Sequence, residues 1–339
     1  MSRIKTLLKT PVLHALASLG PRHWPLPRQR LLILTYHRIL PRSDSRYQLE
    51  QPGMIVTPET FERQLEWLRD DGFRFVHLSR WAAGDYRSWS GKLCAITFDD
   101  GWHDNYEFGF PILQRHKIPF HIYVVLNQLG GSGDYWPGRI ARILAHCIER
   151  QFDLSSLPEA AWLNSLLPQA HLPECCSREL IDTVVTACKR HPEGFIYERL
   201  DVLEQILPSS LHTAQRALLN KNEIAEMLSS GLLEVGCHTA NHTRLLDVLT
   251  SPVLEQEIAA SKVGLEQQLG SNVKSFCYPN GDYSAAALSL VRQHYDTAVT
   301  TRPGWNFTRP DHHLLQRISM HEDATCTPNL FWAKLSGWL

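Results

Sequence analysis

The sequence lacks what would commit it to a nucleic-acid-binding, membrane-spanning or disulfide-built protein. It carries 34 Lys and Arg against 35 Asp and Glu, a net charge of −1. No global field therefore recruits nucleic acid or an acidic polymer, and no nucleic-acid partner is expected. No stretch reaches the roughly 18 consecutive apolar residues that a transmembrane helix requires. The eight cysteines form no Cys-x-x-Cys pair. Cys94, Cys237 and Cys277 lie in apolar runs, where a thiol behaves as a small buried hydrophobe, and adjacent Cys175 and Cys176 could bridge each other only with strain. That usage points to a reducing compartment and hence to the cytoplasm. Low-complexity tracts and internal repeats are absent as well. What remains is a chain of 339 residues, 43% hydrophobic and 20% charged, enough for one large core or a core with an embedded subdomain.

Acidic residues are missing altogether from residues 1–30, which hold Arg3, Lys5, Lys9, Arg22, Arg28 and Arg30. His14 interrupts the apolar run between these charges and Pro21 closes it, a poor match to a secretory signal. A short basic amphipathic helix fits better. It could rest on a membrane surface, giving peripheral membrane association, or pack against the outside of the fold.

A strand-then-helix rhythm follows. Apolar runs at 31–36, 73–78, 93–98 and 120–125 suit strands buried on both faces. Between them, Thr57-Pro58-Glu59 has the N-cap, first-turn proline and first-turn acid of a helix start, and Asn105–His116 reads as a second helix. The rhythm stops at Gly130-Gly131-Ser132-Gly133, a hinge by composition, and the next 85 or so residues are helical in pattern. It resumes with strands at 233–237, 273–278 and 297–300, alternating with helices at 223–229, 253–269 and 285–294. This alternation predicts an α/β fold with a mostly parallel sheet, open or closed into a barrel. The organisation read from it is a basic segment at 1–30, a barrel from 31–130 and 221–325, a helical insertion at 131–220 and a tail at 326–339.

Two clusters of polar residues stand at predicted strand ends, where ligands bind in parallel α/β folds. The first is Asp99-Asp100-Gly101, after Leu93–Phe98. Taken alone it is an ordinary polar turn. Two acids at the end of a buried strand, however, need positive charge to offset their desolvation, and a metal ion would supply it. The second is His238-Thr239-Ala240-Asn241-His242, after Leu233–Cys237. Two imidazoles four apart would share one face of a helical turn, a spacing that suits metal ligation. One carboxylate and two imidazoles leave open positions on an ion, as in catalytic rather than structural sites.

Thr97-Phe98-Asp99-Asp100-Gly101 and His238-Thr239-x-x-His242 resemble the first two motifs of the polysaccharide deacetylase (NodB-homology) family of carbohydrate esterases. The resemblance spans roughly residues 30–128 and 221–320. It implies a distorted (β/α) barrel and metal-dependent hydrolysis of N-acetyl groups on an amino-sugar polysaccharide, oligosaccharide or lipid-linked glycan. It also implies Asp99 as general base, with Asp100, His238 and His242 as ligands of a divalent metal. Zinc is the first choice, and cobalt, nickel or iron also suit those donors.

The chain departs from the common pattern in two places. Its third motif reads Phe276-Cys277-Tyr278-Pro279-Asn280-Gly281, without the arginine that usually contacts the base. This resembles the Tyr-Pro-x-Gly version of exopolysaccharide deacetylases and leaves the Asn280 N–H as a donor to an oxyanion. Arg317 is a candidate to orient Asp99 instead, although a surface or structural salt bridge is the commoner fate of an arginine. The late Leu-x-His motif is also missing, and His312, His313 and His321 do not fit it. Ile33-Leu34-Thr35-Tyr36-His37 resembles the N-terminal Tyr-His motif of the same branch, which implies a circularly permuted barrel with His37 as general acid. Trp102, Tyr135 and Trp136 could stack on sugar, although packing explains most tryptophans. A catalytically inactive carbohydrate-binding protein on the same fold is the alternative, supported by the two missing motifs.

Overall fold

The computed structural model describes residues 30–86, 91–131, 134–168, 173, 175–207, 216–307 and 310–337. Most of the basic segment read at 1–30 therefore lies outside the described residues. Among them, no helix is long and apolar enough to cross a membrane. The chain divides into two compact units, one of residues 1–39, 56–131 and 218–339, the other of 40–55 and 132–217.

The larger unit is built on a nine-stranded sheet. Its strands are β1 (Arg30–Tyr36), β2 (Phe73–Phe75), β3 (Lys92–Phe98), β4 (Phe120–Val124), β5 (Leu233–Cys237), β6 (Ser275–Cys277), β7 (Thr297–Val299), β8 (Asn306–Phe307) and β9 (Ile318–Ser319). β1 pairs with β3 over all seven residues, and β3, β4, β5, β6 and β7 follow in parallel. The far edge then returns to the start. Val299 bridges Leu315 in parallel, and Leu34 of β1 pairs with Ile318 of β9. Only β8 runs antiparallel, against the first residues of β1. The expected α/β barrel is thus present, its sheet curled until first and last strands meet. Both faces of β1 and β3 are buried, which explains their unbroken apolar runs.

Helix Pro58–Asp70 starts as its sequence indicates: the Thr57 hydroxyl accepts the Thr60 N–H, an interaction worth about 1 kcal/mol. Phe61, Leu65 and Leu68 of this helix enter the main core with Tyr36 and Phe98. Two predicted helices are wound differently from expectation. Asn105–Gly109 and Gln256–Ala260 are π-type turns that run into the α-helices after them.

The smaller unit has its own apolar core, formed by helices Trp136–Glu149, Arg178–Cys188 and Glu193–Ile206. Residues 40–55, read from sequence as barrel, belong to this unit. Arg178 donates to the Glu50 carbonyl (3.0 Å) and stacks on Tyr47, while Gln51 donates to Asp182 (2.9 Å). These partners lie more than 120 residues away, too far for local pattern to show. Residues 326–339 are likewise not a loose tail. Helix Pro328–Leu335 buries Phe331 and Leu335 in the main core, and Trp305 donates to the Leu335 carbonyl (2.8 Å). At the expected hinge, the Gly130 N–H donates to Leu219 (2.8 Å), tying the two chain crossings together.

Candidate active site

His37, Asp99, His238, Tyr278 and Thr300 each follow directly on a strand, all at the C-terminal end of the barrel. The chain turns sharply there. Among the described residues six non-glycine positions have positive φ, and four of them are Asp100 (71°), Thr239 (68°), His242 (63°) and Asn280 (54°). Each costs on the order of 1 kcal/mol or more and persists only because its surroundings hold it.

Asp100, His238 and His242 come together as the sequence suggested, but not on a helical turn. His238–His242 is an irregular turn with left-handed backbone at Thr239 and His242. Asp100 Oδ1 lies 3.4 Å from His238 Nε2 and 3.5 Å from His242 Nε2. Donors held tetrahedrally around an ion at 2.0–2.1 Å would be roughly 3.3–3.4 Å apart, so the three fit a divalent cation. Two further contacts prepare them. His238 Nδ1 must donate to the Cys277 carbonyl (2.8 Å), which makes Nε2 the nitrogen that faces Asp100. The Trp102 indole N–H donates to Asp100 Oδ2 (3.1 Å), leaving Oδ1 to face the imidazoles.

The ionisation states follow from burial and charge. Burial works to raise the Asp100 carboxyl, but His238 and His242 outweigh it and hold it well below the usual carboxylate range. His242 is pushed down to about 4, chiefly by burial and then by His238, so it is neutral near pH 7 with a lone pair to offer.

Asp99 lies beside His238 and is held by Arg317. Arg317 is 1% exposed, among the largest fully buried side chains of the molecule. Its guanidinium forks onto both Asp99 oxygens at 2.7 Å each. It also donates to Thr35 (2.9 Å), Thr97 (3.2 Å), the Thr300 carbonyl (2.9 Å) and Cys277 Sγ (3.2 Å). Burial tends to raise the Asp99 carboxyl, yet Arg317, helped by His238 and His37, keeps it below its ordinary value. Arg317 is therefore not on the surface: it is buried and paired with Asp99, the contact for which it was a candidate.

The remaining candidates divide. His37 is half-buried, its Nδ1 is buried with no hydrogen-bond partner, and its charge acts on Asp99, Asp100 and His242. Tyr36 beside it is fully buried and donates to Gln64 (2.9 Å), a packing role. Asn280 is exposed, and its carbonyl accepts from Thr301 (3.1 Å); its described contacts do not reach the acid–imidazole cluster. Trp102 is buried at 4% beneath the Arg38 guanidinium (4.2 Å), a support of Asp100 rather than an open sugar platform. Trp136 belongs to the core of the smaller unit.

Sequence reasoning missed Glu257, a buried carboxylate on the helix before β6. It interrupts the stripe Leu254, Ile258 and Leu265 that enters the core. An acid beside such a stripe is the one signal that could have flagged it.

Comparison with known proteins agrees with this geometry. Residues 201–299 match the family model described as polysaccharide deacetylase. Bacillus subtilis YxkH, named as a polysaccharide deacetylase, is 27% identical over 159 residues, covering 46% of this chain and 52% of that protein. The poly-beta-1,6-N-acetyl-D-glucosamine N-deacetylase of Staphylococcus epidermidis is 26% identical over 133 residues, 36% of this chain and 46% of that one. These alignments span about half the length of each relative. A Streptococcus pyogenes deacetylase, solved with acetate, shares the fold across 91% of this chain and 99% of its own, with a TM-score of 0.58 at 20% identity. The paired motifs at two strand ends, a family model lying across the second of them and the shared barrel make this chain similar to the polysaccharide deacetylases.

Proposed function

We propose that the protein hydrolyses N-acetyl groups from an amino-sugar glycan, with Asp99 as base, His37 as acid and a divalent cation, zinc by first choice, on Asp100, His238 and His242. The observation that carries this reading is the separation of two carboxylates by role. Asp100 meets two imidazoles at ion-ligand spacing, while Asp99, one residue earlier, is gripped by an arginine. A cation held by the first three would act as a Lewis acid toward the acetamide carbonyl and acidify water beside it.

The rest is done by the chain itself. Arg317 keeps Asp99 ionised and oriented, so that it can take the proton from the attacking water. His37, with Nδ1 unpartnered, gives a proton to the amine nitrogen as the C–N bond breaks, and acetate leaves with the new C–O bond. The Asn280 N–H is the proposed donor to the oxyanion. The Tyr-Pro-x-Gly turn and the Staphylococcus epidermidis relative favour the exopolysaccharide branch and a poly-N-acetylglucosamine type of substrate. A cytoplasmic location, read from the cysteines, would direct the enzyme to precursors or lipid-linked intermediates.

Acetate release from N-acetylglucosamine oligomers tests the reading. It should be abolished by chelator and restored by Zn2+, and Asp99→Asn should lower it by about 10²–10⁴-fold while leaving metal content unchanged. A metal-loaded, folded D99N with normal turnover would remove Asp99 from the mechanism. Oligomer binding without acetate release in the metal-loaded wild type would favour the inactive carbohydrate-binding alternative.

A further inference from the structure

The strained turn that carries both candidate ligand imidazoles is not held by its own sequence. Thr239 and His242 are non-glycine residues in the left-handed region, and Thr239 is β-branched, the type least suited to it. Something outside the turn must hold it, and the hydrogen bonds show what does. Glu257, 4% exposed, spends its whole carboxylate on the two residues between Thr239 and His242. Oε2 accepts the N–H groups of Ala240 and Asn241, each at 3.0 Å, and Oε1 accepts the Asn241 side-chain amide at 2.7 Å. From the other side the N–H groups of Leu126 and Asn127 donate to Thr239 (3.1 Å) and Ala240 (3.0 Å), and the Asn127 amide donates to Asn241 Oδ1 (2.7 Å).

The placement of Glu257 has its own cause. It sits in the π-type turn Gln256–Ala260, where the wider winding lets consecutive Glu257 and Ile258 both point inward. Ser261 stabilises that winding by donating to the Glu257 carbonyl (2.6 Å) and approaching the Ile258 carbonyl (3.0 Å).

We propose that Glu257 is a positioning residue for the metal centre: its carboxylate clamps the 239–242 turn so that the Nε2 atoms of His238 and His242 converge on Asp100. This rests on the reading of Asp100, His238 and His242 as ligands. Unlike a partner of the imidazole rings, Glu257 acts on the backbone between the ligands, so it sets their mutual distance rather than the basicity of either.

The test is Zn2+ affinity, measured on the full chain by competition with a chromophoric chelator, beside the melting temperature of the metal-free protein. Glu257→Gln should weaken Zn2+ binding by about 10–100-fold. Glu322 is a matched control: it is buried and accepts hydrogen bonds from Thr57 and Thr60 at the start of helix Pro58–Asp70. Glu322→Gln should lower the melting temperature without weakening Zn2+ binding. If E257Q fails to fold, Asn241→Ala removes the side-chain amide that Glu257 Oε1 accepts and should weaken Zn2+ binding by about 2–10-fold. Wild-type affinity in E257Q, or in N241A where that stands in for it, overturns the proposal and leaves the ligand assignment intact. A wild-type protein that binds no Zn2+ overturns both.

Discussion

The barrel holds a metal-like cluster at each end, and the two are built oppositely. At the C-terminal ends of the strands Asp100, His238 and His242 converge; at the N-terminal ends of β4 and β5, His77, His121 and Glu234 do. Both sets combine two imidazoles with a carboxylate, at similar spacing: His121 Nδ1 and His77 Nδ1 each lie 3.6 Å from Glu234 oxygens. The difference lies in one hydrogen bond. His238 Nδ1 donates to a carbonyl, so Nε2 is the nitrogen that faces Asp100 and whose proton an ion would replace. His121 Nε2 accepts the Leu78 N–H (2.9 Å), so in the neutral ring the proton sits on Nδ1, facing Glu234. With burial pushing His121 down to about 4, the ring is neutral near pH 7 and offers no lone pair to an ion. Ser79 adds a hydroxyl bonded to the same Glu234 oxygen that faces His77. Residue identity and distance are therefore alike at the two ends; the outer partner decides which imidazole nitrogen is left to face the carboxylate.

That contrast can be broken most sharply by exchanging one imidazole at each end. His238→Gln should reduce metal affinity by more than the roughly 100-fold that loss of an outer partner costs, and abolish acetate release. His121→Gln keeps an acceptor for the Leu78 N–H and should leave the protein with one equivalent of metal at unchanged affinity. Metal analysis after dialysis decides between them, and a fall in stoichiometry from two to one in H121Q would make the lower cluster a genuine site.

Next in size is Arg317, the cation paired with Asp99. Arg317→Gln leaves Asp99 buried without its cation, a loss of about 3–5 kcal/mol of stability by chemical denaturation. In the wild type the Asp99 carboxyl is depressed, so its contribution is present above the unfolded value near 3.9 and is lost as pH falls through the lower folded value. In the variant, burial is left to act alone and should raise the carboxyl. The acid limb of the pH–rate profile would then move to higher pH; an unmoved limb would mean that Arg317 does not tune the base.

The smallest effect belongs to the lower end. His121 has its folded value below its unfolded one of about 6.5, so the native state binds fewer protons than the unfolded state between about 4 and 6.5. Stability should therefore rise with pH through that window, with a contribution of at most about 1.4 kcal/mol per pH unit. H121Q should flatten this slope, as read from denaturant midpoints at successive pH values. An unchanged slope would show that His121 titrates alike in the folded and unfolded states.

What was legible in the sequence follows from what is local. Asp99-Asp100-Gly101 and His238…His242 stood out because each ends an apolar run, and an apolar run is a signal of a buried strand. Barrel closure was not local. The Arg317–Asp99 fork joins residues 218 apart, and it exists only because β9 pairs with β1 beside β3. The helical reading of His238–His242 failed for a related reason. Spacing of four suggests one helical face, but Glu257 and the Leu126–Asn127 backbone hold the segment in a left-handed turn that its own residues disfavour. Residues 40–55 were misplaced because their partners, Arg178 and Asp182, come from beyond the hinge.

By itself the sequence determined the strand order in the chain, the side-chain chemistry of the candidate ligands, and the position of both motifs at strand ends, since each depends on residue type and short-range periodicity. Only the tertiary structure decided which arginine meets Asp99, which nitrogen of His238 faces Asp100, and which buried acid holds the 239–242 turn. Those three depend on hydrogen bonds between segments distant in sequence, and such bonds are settled by how the barrel closes.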